Sequence, residues 1–244
     1  MPKDKKDKIK IYPETPHLIL CEGADAYYFL IRLLDFFKES DPGTKSENDS
    51  GFKSFRAYDF GGTSELKQYL DSLAKTDDFK KIVRSLCVIR DAEASAEGAG
   101  QSIQRVFQDL GFAVPQKPCS WTTEGSEKYP SIPTGFILFP SCGATPENGT
   151  LEDLCLRILA KEGAKKVLSD ADDALKPYTE QLPRLPKNRL HTYFSLTDEF
   201  VSLKVGEAAQ AQAFCYDVSE IESLKSFLWQ MAKGVWNNRN QCGR

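Results

Sequence analysis

The sequence predicts an α/β fold: a parallel sheet flanked by helices, followed by a helical C-terminal extension. Two observations predict it. Short aliphatic runs, His17-Leu18-Ile19-Leu20-Cys21 and Leu86-Cys87-Val88-Ile89, read as strands buried on both faces, and each is followed by a stretch with helical spacing. That alternation repeats along the first two thirds of the chain, and strand–helix–strand units with short connections build a parallel sheet. Both runs also end in acid, at Glu22-Gly23 with Asp25 beyond, and at Arg90-Asp91-Ala92-Glu93. The carboxyl ends of such strands open onto the ligand crevice.

Residues 1–16 form a polar lead-in, with Lys3, Lys5, Lys6, Lys8 and Lys10 diluted by Asp4 and Asp7. The first strand covers 17–21. A helix follows, with Asp25 as its N-cap or as a ligand, and with Tyr27, Leu30, Ile31, Leu34 and Phe37 at helical spacing. Residues 39–51 have loop composition. A second strand covers 52–60, and Gly61-Gly62-Thr63-Ser64 opens a helix that presents Leu66, Tyr69, Leu70 and Leu73. The third strand spans 82–89, and a helix follows near 100–110. Residues 113–134, rich in proline and polar groups, read as a long loop or irregular hairpin; 135–139 is a further strand. Thr150 and Asp153 have capping-box spacing at the start of a helix over 150–160. Helices are expected at 164–181, 187–203 and 219–233. The domain reading is a lead-in at 1–16, an α/β domain at 17–162 and a helical extension at 163–244 packed on it.

Composition narrows the function classes. The chain has 244 residues, 41% hydrophobic and 27% charged, with a formal net charge of −3, so no global basic field draws it to nucleic acid. Its 7 cysteines are scattered without a Cys-x-x-Cys pair, which argues against structural zinc. There is no signal-peptide pattern and no apolar run of membrane-spanning length, so the reading is cytoplasmic, with no membrane partner. The two histidines, His17 and His191, lack metal-ligand spacing. No P-loop or dinucleotide fingerprint is present.

Carboxylates brought to one point from two strand ends are the means of holding Mg²⁺, a hard cation that takes oxygen ligands. The segments LILCEGADAYYFL (18–30) and LCVIRDAEAS (86–95) carry a Glu-Gly and an Asp-x-Glu in this setting. This arrangement resembles the Toprim family of topoisomerases, bacterial primases, small ribonucleases and overcoming-lysogenization-defect nucleases. Gly149-Thr150-Leu151-Glu152-Asp153-Leu154 is similar to a run in small stand-alone Toprim-related bacterial proteins. The resemblance covers residues 15–160 and departs from the family at Glu93, where an aspartate is usual.

The resemblance implies a Toprim-like fold and a Mg²⁺-dependent (or Mn²⁺-dependent) nuclease acting on DNA or RNA phosphodiesters. Glu22, Asp91 and Glu93 would be catalytic. Glu22, Asp91, Glu93, Glu152 and Asp153 would hold metal, with Glu152 and Asp153 serving a second ion. Gly23, Asp25, Gly61, Gly62 and Lys187 are secondary candidates, the two adjacent glycines through backbone N–H groups offered to a phosphate and Lys187 through charge at a phosphoryl centre. Each has a plainer alternative: Glu22 as a turn residue, Glu152 and Asp153 as acids favoured in a first helical turn, the glycines as turn geometry, Lys187 as a surface cation. Trp121, Tyr129 and Trp229 are candidates for stacking on bases. The other reading is a non-catalytic Toprim scaffold binding a protein or nucleic-acid partner, in a defence or toxin setting. The assembly, a homodimer included, is left open.

Overall fold

The computed structural model describes residues 10–40, 51–161 and 163–234. The lysines expected in the lead-in before Lys10, most of the 39–51 loop and the last ten residues of the extension lie outside the described residues.

Five strands form one sheet: β1 (His17–Cys21), β2 (Phe55–Asp59), β3 (Ser85–Asp91), β4 (Ser120–Trp121) and β5 (Thr134–Phe139). Their order is β2-β1-β3-β5-β4, parallel except for β4, which runs antiparallel to β5. In register, Cys21 lies beside Asp59 on one side and Ile89 on the other, and Asp91 lies beside Phe139. The chain leaves β1 toward β2 and returns to β3 on the opposite flank, so the ends of β1 and β3 frame the point where the winding direction reverses. Open α/β sheets bind ligands at that point.

Side-chain alternation divides the core into two layers. Ile19, Cys21, Cys87, Ile89, Ile137 and Phe139 face one layer, while Leu18, Leu20, Leu86, Val88, Phe136 and Leu138 face the other. The second layer is closed by α2 (Leu66–Ala74), the single turn α3 (Phe79–Ile82) and α4 (Ala96–Leu110). In α4 the Ser95 hydroxyl accepts from the Gly98 N–H at the N-terminus. The first layer is closed by α1 (Gly23–Ser40) and by the C-terminal helices α5 (Leu151–Lys161), α6 (Lys165–Leu175), α7 (Leu185–Ser195), α8 (Val205–Gln210) and α9 (Glu222–Lys233). Leu168, Leu190, Phe194, Ala208, Leu224 and Leu228 share this core with the sheet. The extension therefore shares in one of the sheet's two covering layers, together with α1 and α5.

Several sequence expectations shift. The helix expected over 164–181 ends at Leu175 and tightens into a 3-10 turn over Lys176–Gln181, and 187–203 is a helix only to Ser195, with α8 a separate short element. The last helix begins with a 3-10 turn at Ser219–Ile221, where the Ser219 hydroxyl donates to Glu220 Oε2. The 113–134 loop contains β4, where Trp121 stacks on Phe227 at 4.5 Å and donates its ring N–H to the Phe227 carbonyl. Trp121 and Tyr129 are both buried and hence not available as base-stacking platforms. Trp229 packs beside the same core and meets Phe52.

Candidate active site at the strand ends

The turn after β1 is set by backbone chemistry. The Glu22 N–H donates to the Ile89 carbonyl, extending the β1–β3 pairing by one residue. Gly23 then takes φ +81°, a left-handed conformation that glycine enters without a Cβ penalty. Its N–H donates to Asp59 Oδ1 at 3.0 Å, and the same oxygen accepts from the Gly61 N–H at 2.8 Å. Asp59, at the end of β2, thus ties both glycine turns together.

Glu22 is approached from the β2 side. Its Oε1 accepts from the Thr63 hydroxyl at 2.5 Å, and its Oε2 lies 3.2 Å from Arg90 Nε as an ion pair. Arg90 Nη2 donates in turn to the Thr63 hydroxyl at 3.2 Å. Arg90 is a cation at the end of an otherwise apolar strand, with a side chain only 6% exposed.

Asp91, one residue on, projects to the opposite face. Its Oδ1 accepts from the Leu151 N–H at 2.9 Å, at the start of α5. Its carboxyl is pushed up to about 7, chiefly by burial and next by the charge of Glu152; Glu22 and Glu93 push the same way, against the Leu151 hydrogen bond. Glu93 has φ +54°, uncommon for a residue with a side chain, and is held there by a two-way backbone bridge to Gly149, with both N–H···O distances 2.8 Å. The bridge brings the start of α5 against the end of β3.

A cavity of about 340 Å³ opens over these groups. It is lined by Glu22, Gly23, Asp25, Asp91, Glu93, Glu152 and Asp153, and across from them by Arg184 and Lys187 of the segment entering α7. Lys187 Nζ lies 3.9 Å from Glu152 Oε1, a loose ion pair. The Arg184 side chain makes no hydrogen bond or ion pair among the described residues. A second depression, about 540 Å³, lies at the other end of the sheet around His17 and Arg84 and holds a single carboxylate, Glu124. There His17 Nδ1 is 2.7 Å from the Ser85 hydroxyl, and burial, with the charge of Arg84, lowers its pKa to about 4.

The sequence candidates therefore fall into two groups. Glu22, Gly23, Asp25, Asp91, Glu93, Glu152, Asp153 and Lys187 all reach one cavity. Gly61 and Gly62 do not line it, and their N–H groups are taken by Asp59 and by Glu65 Oε2, which overturns the phosphate-cradle expectation. Asp25 lies inside the first turn of α1 rather than at its N-cap, and its Oδ1 accepts from the Gly206 N–H of α8 at 2.9 Å. Asp153 Oδ2 accepts from both the N–H and the hydroxyl of Thr150, so the helix start uses it as half of the expected capping pair. Arg90, Thr63, Asp59 and Arg184 were not among the sequence candidates. Arg90 alone gave a signal, as a charge closing a buried strand; the others are recognisable only from contacts across the fold.

Among the described residues, no three His, Cys, Asp or Glu side chains are gathered as they stand into a group that could hold a metal ion. The donor chemistry nonetheless fits a hard divalent cation. The cavity's acids are all oxygen donors, and the Asp91 carboxyl is held near neutral pH chiefly by burial and next by the charge of Glu152, which a cation would screen.

Fold and site together define an α/β protein with an acidic pocket at the switch point of its sheet, faced by two cations from a helical extension. Residues 16–233 match the family described as a protein of unknown function (DUF3226), and the chain belongs to that family. The match takes in the sheet and the C-terminal helices alike. No curated protein matches the chain, and no solved structure matches it.

Proposed function

We propose that this chain is a Toprim-like, Mg²⁺-dependent nuclease that hydrolyses DNA or RNA phosphodiesters. The observation that carries the reading is the convergence of Glu22, Asp91, Glu93 and Glu152 on one cavity at the ends of β1 and β3, with Arg184 and Lys187 opposite. Asp91, Glu93 and Glu152 would hold Mg²⁺ or Mn²⁺, and Glu22 would be either a further ligand or the acceptor of a proton from the attacking water. When bound, the cation supplies charge to the attacking and leaving oxygens of the displacement. Arg184 and Lys187 meet the substrate's phosphate and offset its charge. In hydrolysis the water oxygen bonds to phosphorus, the ester P–O bond breaks, and the released oxygen takes up a proton.

A non-catalytic scaffold, in a defence or toxin setting, is the second reading. It is favoured by the existing engagement of the acids: Glu22 with Arg90 and Thr63, Asp153 with Thr150, and Asp25 with Gly206. The described helices include none long and apolar enough to cross a membrane, and the proposed setting is the cytoplasm. The deciding experiment incubates the purified chain with supercoiled plasmid and with a mixed RNA pool, in Mg²⁺ and in Mn²⁺. Cleavage lost in Glu22→Gln, with the fold retained by circular dichroism, supports the nuclease. A fully active Glu22→Gln removes Glu22 from the chemistry, and no cleavage in either metal favours the scaffold.

A further inference from the structure

We infer that Arg90 is a resident counter-ion for Glu22, so that the pocket takes one divalent cation, on the Asp91 side, and Glu22 is not among its ligands. The inference rests on the metal-site reading above and decides the role left open there for Glu22.

Three observations carry it. First, each Glu22 oxygen faces a partner: Oε1 accepts from the Thr63 hydroxyl at 2.5 Å, and Oε2, which is buried and accepts no hydrogen bond, is ion-paired with Arg90 Nε at 3.2 Å. Second, the clamp is closed on itself, because Arg90 Nη2 donates to the same Thr63 hydroxyl, and its Nε also reaches the Asp91 carbonyl at 3.3 Å. Third, Arg90 is buried, with its side chain 6% exposed, and a guanidinium in such a place keeps its charge. Its departure would leave an unpaired charge out of water, so the pair stays closed. A divalent cation on Glu22 would have to sit beside that guanidinium.

The geometry separates the two carboxylates by face. Arg90 and Asp91 are neighbours on β3 and so project to opposite sides of the sheet. Arg90 turns toward Thr63 and neutralises Glu22, while Asp91 turns toward α5 and Glu152. On the Asp91 side, among the described residues, the acids meet only the loose Lys187–Glu152 pair at 3.9 Å, so less of their charge is offset than that of Glu22. Arg90 is a positioning residue here: it acts through Glu22, holding that carboxylate in one place at the cavity wall.

The test is calorimetric titration of Mn²⁺ into the intact chain, with Glu22→Gln, Asp91→Asn, Arg90→Gln and Arg90→Gln/Glu22→Gln beside it, each checked for fold by circular dichroism. The expected result is one Mn²⁺ per chain, an affinity within about threefold of the parent in Glu22→Gln and at least about tenfold weaker in Asp91→Asn, the range seen when groups supporting a metal site are lost. Arg90→Gln is expected to tighten binding or add a second Mn²⁺, a gain that vanishes in the double variant. A purely structural Arg90 would not produce that gain. Glu22→Gln losing affinity as Asp91→Asn does would overturn the inference while leaving the metal site standing, and this comparison holds even if Arg90→Gln does not fold. Binding in Arg90→Gln but not in the parent would support the counter-ion role and overturn the resting metal site. No binding in any folded form would overturn both.

Discussion

Burial and neighbouring carboxylates hold the Asp91 carboxyl at about 7 in the folded protein, against an ordinary value of 3.8. Between those two values the folded state keeps a proton that the unfolded chain has released. Stability from this residue is therefore greatest below about pH 4 and is lost as the pH rises through 7. Asp91→Asn keeps an acceptor for the Leu151 N–H and removes the charge. It is expected to stabilise the fold at pH 8 by about 2 to 4 kcal/mol, at roughly 1.4 kcal/mol per pKa unit, and to change it little at pH 4. Urea unfolding at the two pH values checks this, and equal effects at both would contradict the assigned cause. At this scale the sequence was informative where acids followed apolar runs, at Glu22, Asp91 and Glu93. It was silent on which acids already had partners. Asp25 and Asp153 look like Glu22 in the sequence, yet each is committed to a backbone N–H, and only the fold brings Gly206 to Asp25.

The strands and long helices were legible because their periods are long enough to count: β1, β3, β5, α1, α2 and α5 fall near their expected places. The short elements were not. A two-residue strand such as β4 and a six-residue helix such as α8 carry no period, and they exist because tertiary contacts hold them. The packing of α8 on α1 illustrates this. A Cβ added to Gly206 would meet Tyr28 Cβ at 3.0 Å and Asp25 Cα at 3.2 Å, so the glycine permits the close approach that lets its N–H reach Asp25. Gly206→Ala is expected to destabilise the protein by about 1 to 3 kcal/mol, the usual cost of overpacking, read as a lower urea midpoint at unchanged slope. An unchanged midpoint would show that α8 yields freely. The Gly61-Gly62 turn was misread for a related reason: two glycines before a helix suggest free N–H groups, but Asp59 and Glu65 lie within reach of them.

Over the whole molecule, the C-terminal extension has two roles. It completes one core layer with α1 and α5, and through Arg184 and Lys187 it supplies the basic wall of the strand-end cavity. Under the proposed function, a chain with net charge −3 would meet a polyanion through such local groups rather than through a global field. Arg184→Ala/Lys187→Ala is expected to weaken binding of a fluorescent single-stranded oligonucleotide across sequences alike. It should also lower the slope of log affinity against log salt by up to about 1.4, at roughly 0.7 for each phosphate that the protein no longer neutralises. An unchanged slope would place the substrate elsewhere on the surface. The family match over residues 16–233 agrees with treating sheet and extension as one unit, since it crosses from one to the other without a break.

The most direct test of the strand-end acids as a cation-dependent phosphodiesterase centre is the rate of cleavage by the intact chain and by Asp91→Asn across a Mg²⁺ titration at pH 8. The expected rate rises and saturates with Mg²⁺ in the parent. In the folded variant the rate is expected to fall by about 100-fold or more, the scale on which losing one stabilising group at a reacting centre is felt. A parent that cleaves nothing at any Mg²⁺ concentration, or an Asp91→Asn that cleaves as fast, would contradict that role of the acids.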